Sequence, residues 1–199
     1  MGERVHDGQR KEVIVMKTAL VLVDIQNDYF PGGKMELEGS TEAGLRARQL
    51  LSAFRQRQLP LVHVQHVSTR PGATFFLPDT AGVRIHENVQ PLEPEIVIQK
   101  HYPNSFRDTG LLDTFRGEDI GRLVICGMMT HMCIDATTRA AFDYGFECLV
   151  AEDACATRAL IHKGRNIPAE HVHLSFLAAL NAVYAKVLNT DEIVSQLSS

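Results

Sequence analysis

Short, almost unbroken apolar runs alternate along this chain with longer stretches whose apolar positions recur at helical spacing. TALVLVDI (18–25) is apolar and β-rich throughout, the pattern of a strand covered on both faces. TEAGLRARQLLSAFRQRQ (41–58) follows with a 3.6-residue period, with Ser40 or Thr41 as its expected cap. LPLVHVQHV (59–67), EIVIQK (95–100), RLVICG (122–127), FECLVAED (146–153) and AKVLNT (185–190) repeat the strand pattern. Between and after them, SFRDTGLLDTFRG (105–117), THMCIDATTRAAFDYG (130–145), IPAEHVHLSFLAALNAV (167–183) and TDEIVSQL (190–197) read as helices. Strands alternating with helices predict right-handed crossovers and a parallel sheet. The expected fold is α/β: a three-layer α-β-α, Rossmann-like arrangement around a six-stranded, mostly parallel sheet. Residues 17–199 read as a single domain and residues 1–16 as an N-terminal extension without the pattern of a signal peptide.

In such a sheet ligands bind beyond the C-terminal ends of the strands. Three reactive side chains fall there: Asp24 after the first strand, Lys100 at the end of the third, and Cys133 just past the fourth, on the opening turn of its helix. A helix start and a nearby cation both lower a thiol pKa, so Lys100 and the helix dipole are expected to favour the Cys133 thiolate. Asp24 is placed to take the thiol proton and return it to a leaving group. The free N–H groups of the same helix start offer an oxyanion site.

Composition narrows the partners. With 199 residues and a formal charge of −4, the chain presents no run of basic residues for nucleic acid, and no apolar stretch approaches membrane-spanning length. A small-molecule substrate is the expected partner. The four cysteines, Cys126, Cys133, Cys148 and Cys155, lack CxxC spacing, so reduced thiols and a cytoplasmic setting are expected. Residues 68–94 form a long irregular segment whose FFLP (75–78) suggests a lid or a subunit contact.

ALVLVDIQNDYF, IQKHYPNSF and CGMMTHMCID, in that order and spacing, resemble three blocks of the isochorismatase-like cysteine hydrolases, which include nicotinamidases, carbamoylsarcosine amidases and ureidoacrylate amidases. The resemblance covers nearly all of residues 17–195. It implies a catalytic set of Asp24, Lys100 and Cys133, a cis peptide between Met128 and Met129, and an oxyanion hole from the N–H groups of Met129 and Cys133. It also implies a homo-oligomer, dimer or tetramer, and calls for no cofactor. The metal-binding Asp-x-His pair of nicotinamidases is replaced by His66 and Ser68, so no metal is expected. The cysteine favours hydrolysis of a small amide or ureide C–N bond through a thioester. Vinyl-ether hydrolysis of the isochorismatase type, or a redox-sensing or ligand-binding role, are the alternatives. Phe30, His66, Tyr102, Phe106, Met129 and His131 are the candidate pocket residues.

Overall fold

The computed structural model describes residues 16–197; the extension read over residues 1–16 lies outside these but for Met16. Six strands, β1 (Lys17–Val23), β2 (Leu61–His66), β3 (Ile96–Lys100), β4 (Ile120–Met128), β5 (Glu147–Ala156) and β8 (Lys186–Leu188), form one sheet in the order β3-β2-β1-β4-β5-β8. Every pairing in it is parallel. The helices are α1 (Ser40–Gln56), α2 (Leu111–Gly117), α3 (Asp135–Asp143), α4 (Ala169–Val183) and α5 (Thr190–Gln196).

Strand alternation divides the core. Leu20 and Leu22 of β1 pack with Ala43, Ala47, Leu50 and Phe54 of α1 and Ile193 of α5. Ala19, Val21 and Val23, the alternate residues, pack with Phe115 of α2, Ala141 of α3 and Leu177 and Leu180 of α4 on the other face. Both faces of β1 are buried, which is why its sequence shows no polar alternation. Each such aliphatic side chain contributes about 1.5–3 kcal/mol by leaving water.

The chain builds β1, β2 and β3 outward in one direction and then returns to add β4 on the other side of β1. The direction reverses between β1 and β4, and a crevice opens at their C-terminal ends. Gly127 shapes this end of the sheet: its φ is +128°, and a Cβ there would stand 1.9 Å from the Val23 carbonyl oxygen. No other residue fits so close to β1.

Most element ends shift by a residue or two, and a few differences from the sequence reading are larger. Residues 105–110 are turns and α2 begins only at Leu111, because side chains cap the loop: Asn104 Oδ1 accepts from Phe106 N–H and Thr109 Oγ1 donates to the Ser105 carbonyl. The helix expected from Thr130 opens as a π-helical turn over Thr130–Ile134 before α3. β5 runs three residues past Asp153. A hairpin of β6 (Leu160–His162) and β7 (Arg165–Ile167) was not foreseen, being too short to show a period. At α1 the cap is Gly39, in a left-handed conformation, rather than Ser40 or Thr41.

The 68–94 segment is a strap fastened to the body. Asp28 Oδ2 accepts from the Phe76 N–H at 2.6 Å and Oδ1 from the Lys34 N–H at 3.1 Å. Phe76 is buried against Tyr29, and Gln26 Nε2 donates to the Val83 carbonyl. The FFLP stretch thus buries Phe76 within its own chain. Among the described residues no helix is long and apolar enough to cross a membrane.

Candidate active site

Asp24 is the first residue past β1 and takes a left-handed backbone, φ +53°. Such a conformation costs a non-glycine residue about 1–3 kcal/mol unless its surroundings enforce it. Here the Asp24 N–H donates to the Val64 carbonyl and its own carbonyl accepts from Gln26 N–H, both at 3.0 Å. The turn aims the carboxylate into the sheet end, where it is completely buried.

Lys100 reaches the same point from β3. Its Nζ lies 2.7 Å from Asp24 Oδ2 and donates to Cys133 Sγ at 3.1 Å, to the Tyr102 carbonyl at 3.0 Å and to the Pro103 carbonyl at 3.4 Å. His66 Nδ1 lies 3.3 Å away. Burial works against the charge on Lys100, but the Asp24 carboxylate and the Cys133 sulfur outweigh it and the pKa is raised. The lysine is therefore a buried ammonium. Asp24 Oδ1 has no hydrogen-bond partner among the described residues.

Cys133 sits in the π turn. The Met129 carbonyl accepts from Met132 N–H at 3.0 Å and from Ile134 N–H at 3.2 Å, passing over Cys133 between them. An α-helix would have given that carbonyl to the Cys133 amide. The wider turn withholds it, as π turns at functional sites often do. The Met128–Met129 peptide immediately before is cis. Thr130, fully buried, ties the turn down: Oγ1 donates to the Ala156 carbonyl at 3.2 Å and lies 2.9 Å from His173 Nδ1 on α4.

The expected low thiol pKa is not what this environment produces. Burial, and after it the Asp24 carboxylate, push the Cys133 thiol above its ordinary range, and the Lys100 ammonium only partly opposes them. Burial and the carboxylate thus favour the protonated thiol in the free site, beside the Asp24–Lys100 ion pair. All four cysteines are free and buried.

Of the candidate pocket residues, His66 stands with the acid and the thiol: one ligand-type atom each from Asp24, His66 and Cys133 lie within 4.8 Å of one another. Burial lowers the His66 pKa to about 4, the Asp24 carboxylate pulling the other way. The charged Lys100 has only donors, so His66 Nδ1 is the acceptor and the ring proton is on Nε2. Met129 lies on the nucleophile turn. Tyr102 lends Lys100 its carbonyl while its ring is covered by Arg107 at 3.6 Å. His131 is half-buried, 2.5 Å from Thr157 Oγ1 and edge-on to Phe176, so it does not simply face solvent.

Phe30 and Phe106 are corrections. Phe30 stacks on His86 with centroids 3.6 Å apart and packs against Gly44, and Phe106 lies among Phe115, Tyr144 and Phe146. Both are core residues. Tyr29 was missed: burial and then the charges of Cys133 and Asp24 push its phenol pKa well up, placing it beside the site. Its position five residues after Asp24 was the available signal.

The isochorismatase domain family matches residues 18–192. An isochorismatase family protein of Bacillus subtilis, YddQ, is 54% identical over 176 residues, covering 88% of this chain and 98% of that protein. A ureidoacrylate amidohydrolase, RutB, of Azorhizobium caulinodans is 24% identical over 175 residues, covering 71% of this chain and 77% of that one. The crystal structure of an isochorismatase hydrolase from Oleispira antarctica superimposes with a TM-score of 0.87 at 48% identity, covering 92% of this chain and 99% of that one.

Proposed function

Because the chain belongs to the isochorismatase family of hydrolases, we propose that it hydrolyses the C–N bond of a small amide or ureide through a thioester on Cys133, without a metal. The carrying observation is the Lys100 ammonium bridging Asp24 Oδ2 at 2.7 Å and Cys133 Sγ at 3.1 Å, three groups from three strand ends in one buried contact. The amidohydrolase named among the relatives supports the bond class.

Each group then has one task. Once the substrate is bound, Asp24 takes the thiol proton and the sulfur attacks the carbonyl carbon. Lys100 holds the negative charge that passes between carboxylate and sulfur. The carbonyl oxygen becomes an oxyanion facing the Cys133 amide that the π turn leaves unclaimed by Met129, with the Met129 amide as its partner donor. Collapse expels the amine, which takes the proton from Asp24. Water, deprotonated by Asp24, then releases the acid and restores the thiol. A thiol that is neutral at rest suits this sequence, because its proton is the one the leaving amine needs.

The deciding experiment measures ammonia release from small amides and ureides with wild type and Cys133→Ala. Turnover that disappears in the variant supports the thioester route. Hydrolysis that survives Cys133→Ala but not Asp24→Asn would replace it with acid-assisted cleavage of a vinyl ether or similar bond.

A further inference from the structure

Lys100 stands where three metal-type donors converge. Its Nζ is 2.7 Å from Asp24 Oδ2, 3.1 Å from Cys133 Sγ and 3.3 Å from His66 Nδ1. Among the described residues, these three form the one group of at least three His, Cys, Asp or Glu side chains whose donor atoms all lie close together, within 4.8 Å. Carboxylate, imidazole and thiolate are the zinc donor set, with bonds of about 2.0–2.3 Å that set neighbouring donors roughly 3.3–3.8 Å apart. The trio needs to draw in by about 1 Å to meet that geometry.

We propose that Asp24, His66 and Cys133 form a latent site for a thiophilic divalent cation of the zinc and cadmium class, which the Lys100 ammonium holds closed.

The ammonium and the metal compete for the same lone pairs. Lys100 is fully buried and donates into a cage that also includes the Tyr102 and Pro103 carbonyls. A divalent ion can enter only if that charge leaves, since the two cations would otherwise sit together in a buried site that screens them poorly. His66 presents Nδ1 as an acceptor, which is the lone pair a metal takes. His66 is also less buried than Asp24 or Lys100, so entry is from its side.

The two cations treat sulfur differently. Metal binding deprotonates the Cys133 thiol, releases that proton to water and engages the sulfur lone pair in a metal–thiolate bond. An N–H···S contact draws on a sulfur lone pair far more weakly than a metal bond does, so it supplies positive charge and leaves the sulfur able to attack. The lysine thus gives the site a cation that cannot capture its own nucleophile. This inference does not depend on the hydrolase reading, and its test uses no substrate.

Co2+ alone is the probe, titrated into wild type, Lys100→Ala and Lys100→Ser, with the sulfur-to-cobalt charge-transfer band as readout. Lys100→Ala binds one ion per chain with that band, and Lys100→Ala/Cys133→Ala lacks it. Wild type binds at least ~100-fold more weakly, a factor equal to about 2.7 kcal/mol. Lys100→Ser repeats the measurement should the alanine variant fold poorly. In wild type, one equivalent of Cd2+ leaves the alkylation rate of Cys133 unchanged. Comparable Co2+ affinity in wild type, no thiolate band in folded variants, or protection of wild-type Cys133 by Cd2+ each overturns the proposal.

Discussion

Asp24 and Lys100 act on the Cys133 thiol in opposite directions. Burial comes first and the carboxylate second in holding the proton on sulfur, and the ammonium resists both. Replacing Asp24 by asparagine removes one of the restraints and leaves Lys100 with sulfur as its main anionic partner. Asp24→Asn is therefore expected to lose hydrolysis and yet to alkylate faster at Cys133 near pH 7 than wild type, read by mass spectrometry after iodoacetamide. A slower rate in the variant would mean that Asp24 serves as the thiol's base in the free protein. His66 gives a second signature. Its folded pKa of about 4 lies below the unfolded value near 6.5, under the combined influence of burial, Asp24, Lys100, His101 and Arg70. Between those values the unfolded chain binds more protons, so stability is complete above about pH 6.5 and falls as pH drops toward 4. Burial also depresses His63, His86, His131 and His173, which adds to the slope. Thermal melts between pH 7 and pH 4.5 should show this fall, and His66→Gln should make it shallower; an unchanged slope would remove His66 from the account.

Elements carried most of what could be read from sequence, and their ends carried the least. The six sheet strands were legible because a strand buried on both faces leaves an apolar run that few other structures explain. Asp24, Lys100 and Cys133 were legible because topology sends the C-terminal ends of parallel strands to one edge. The π turn was not, since it differs from an α-turn by one hydrogen bond, which the Thr130 anchor to Ala156 and His173 helps to set. The thiol pKa was misjudged for a related reason: sequence places a cysteine on a helix start but does not tell how deeply neighbouring elements bury it. Phe30 and Phe106 were misread because closeness along the chain does not say which face of the sheet an aromatic ring joins. Gly127 is the element-scale test. Gly127→Ala combines a left-handed φ with a Cβ 1.9 Å from Val23 O and must push β4 away from β1. It should cost about 3 kcal/mol or more, a loss of roughly 6–12 °C in Tm. A melt within 2 °C of wild type would mean that the strand ends yield easily.

Over the whole molecule, the strap is tied to the segment after β1 by a row of hydrogen bonds, Asn27 N–H to the Arg84 carbonyl, Asp28 N–H to the Gly82 carbonyl, His86 N–H to the Ile25 carbonyl and Gln26 Nε2 to the Val83 carbonyl, with the Asp28 side chain at their centre. Asp28 alone receives amides from both Phe76 and Lys34, and Gly82 lies so close that a Cβ there would fall 2.1 Å from Asp28 Oδ1. Asp28→Ala should loosen the strap before the sheet melts, so limited trypsin digestion should cut faster after Arg84, the strap arginine not followed by proline, in the variant than in wild type. Equal resistance in both would place the fastening in those backbone and Gln26 hydrogen bonds and in the Phe76–Tyr29 packing instead. The strand order has a consequence for the growing chain. β1 is made first but lies inside the finished sheet, and its partner β4 begins only at Ile120. Until the ribosome has produced that strand, β1 carries an open edge, apolar from Ala19 to Val23, with β2 on its other side. For that interval the nascent chain is a ready template for a stray strand, and a message truncated before β4 encodes a product suited to aggregation and to capture by chaperones.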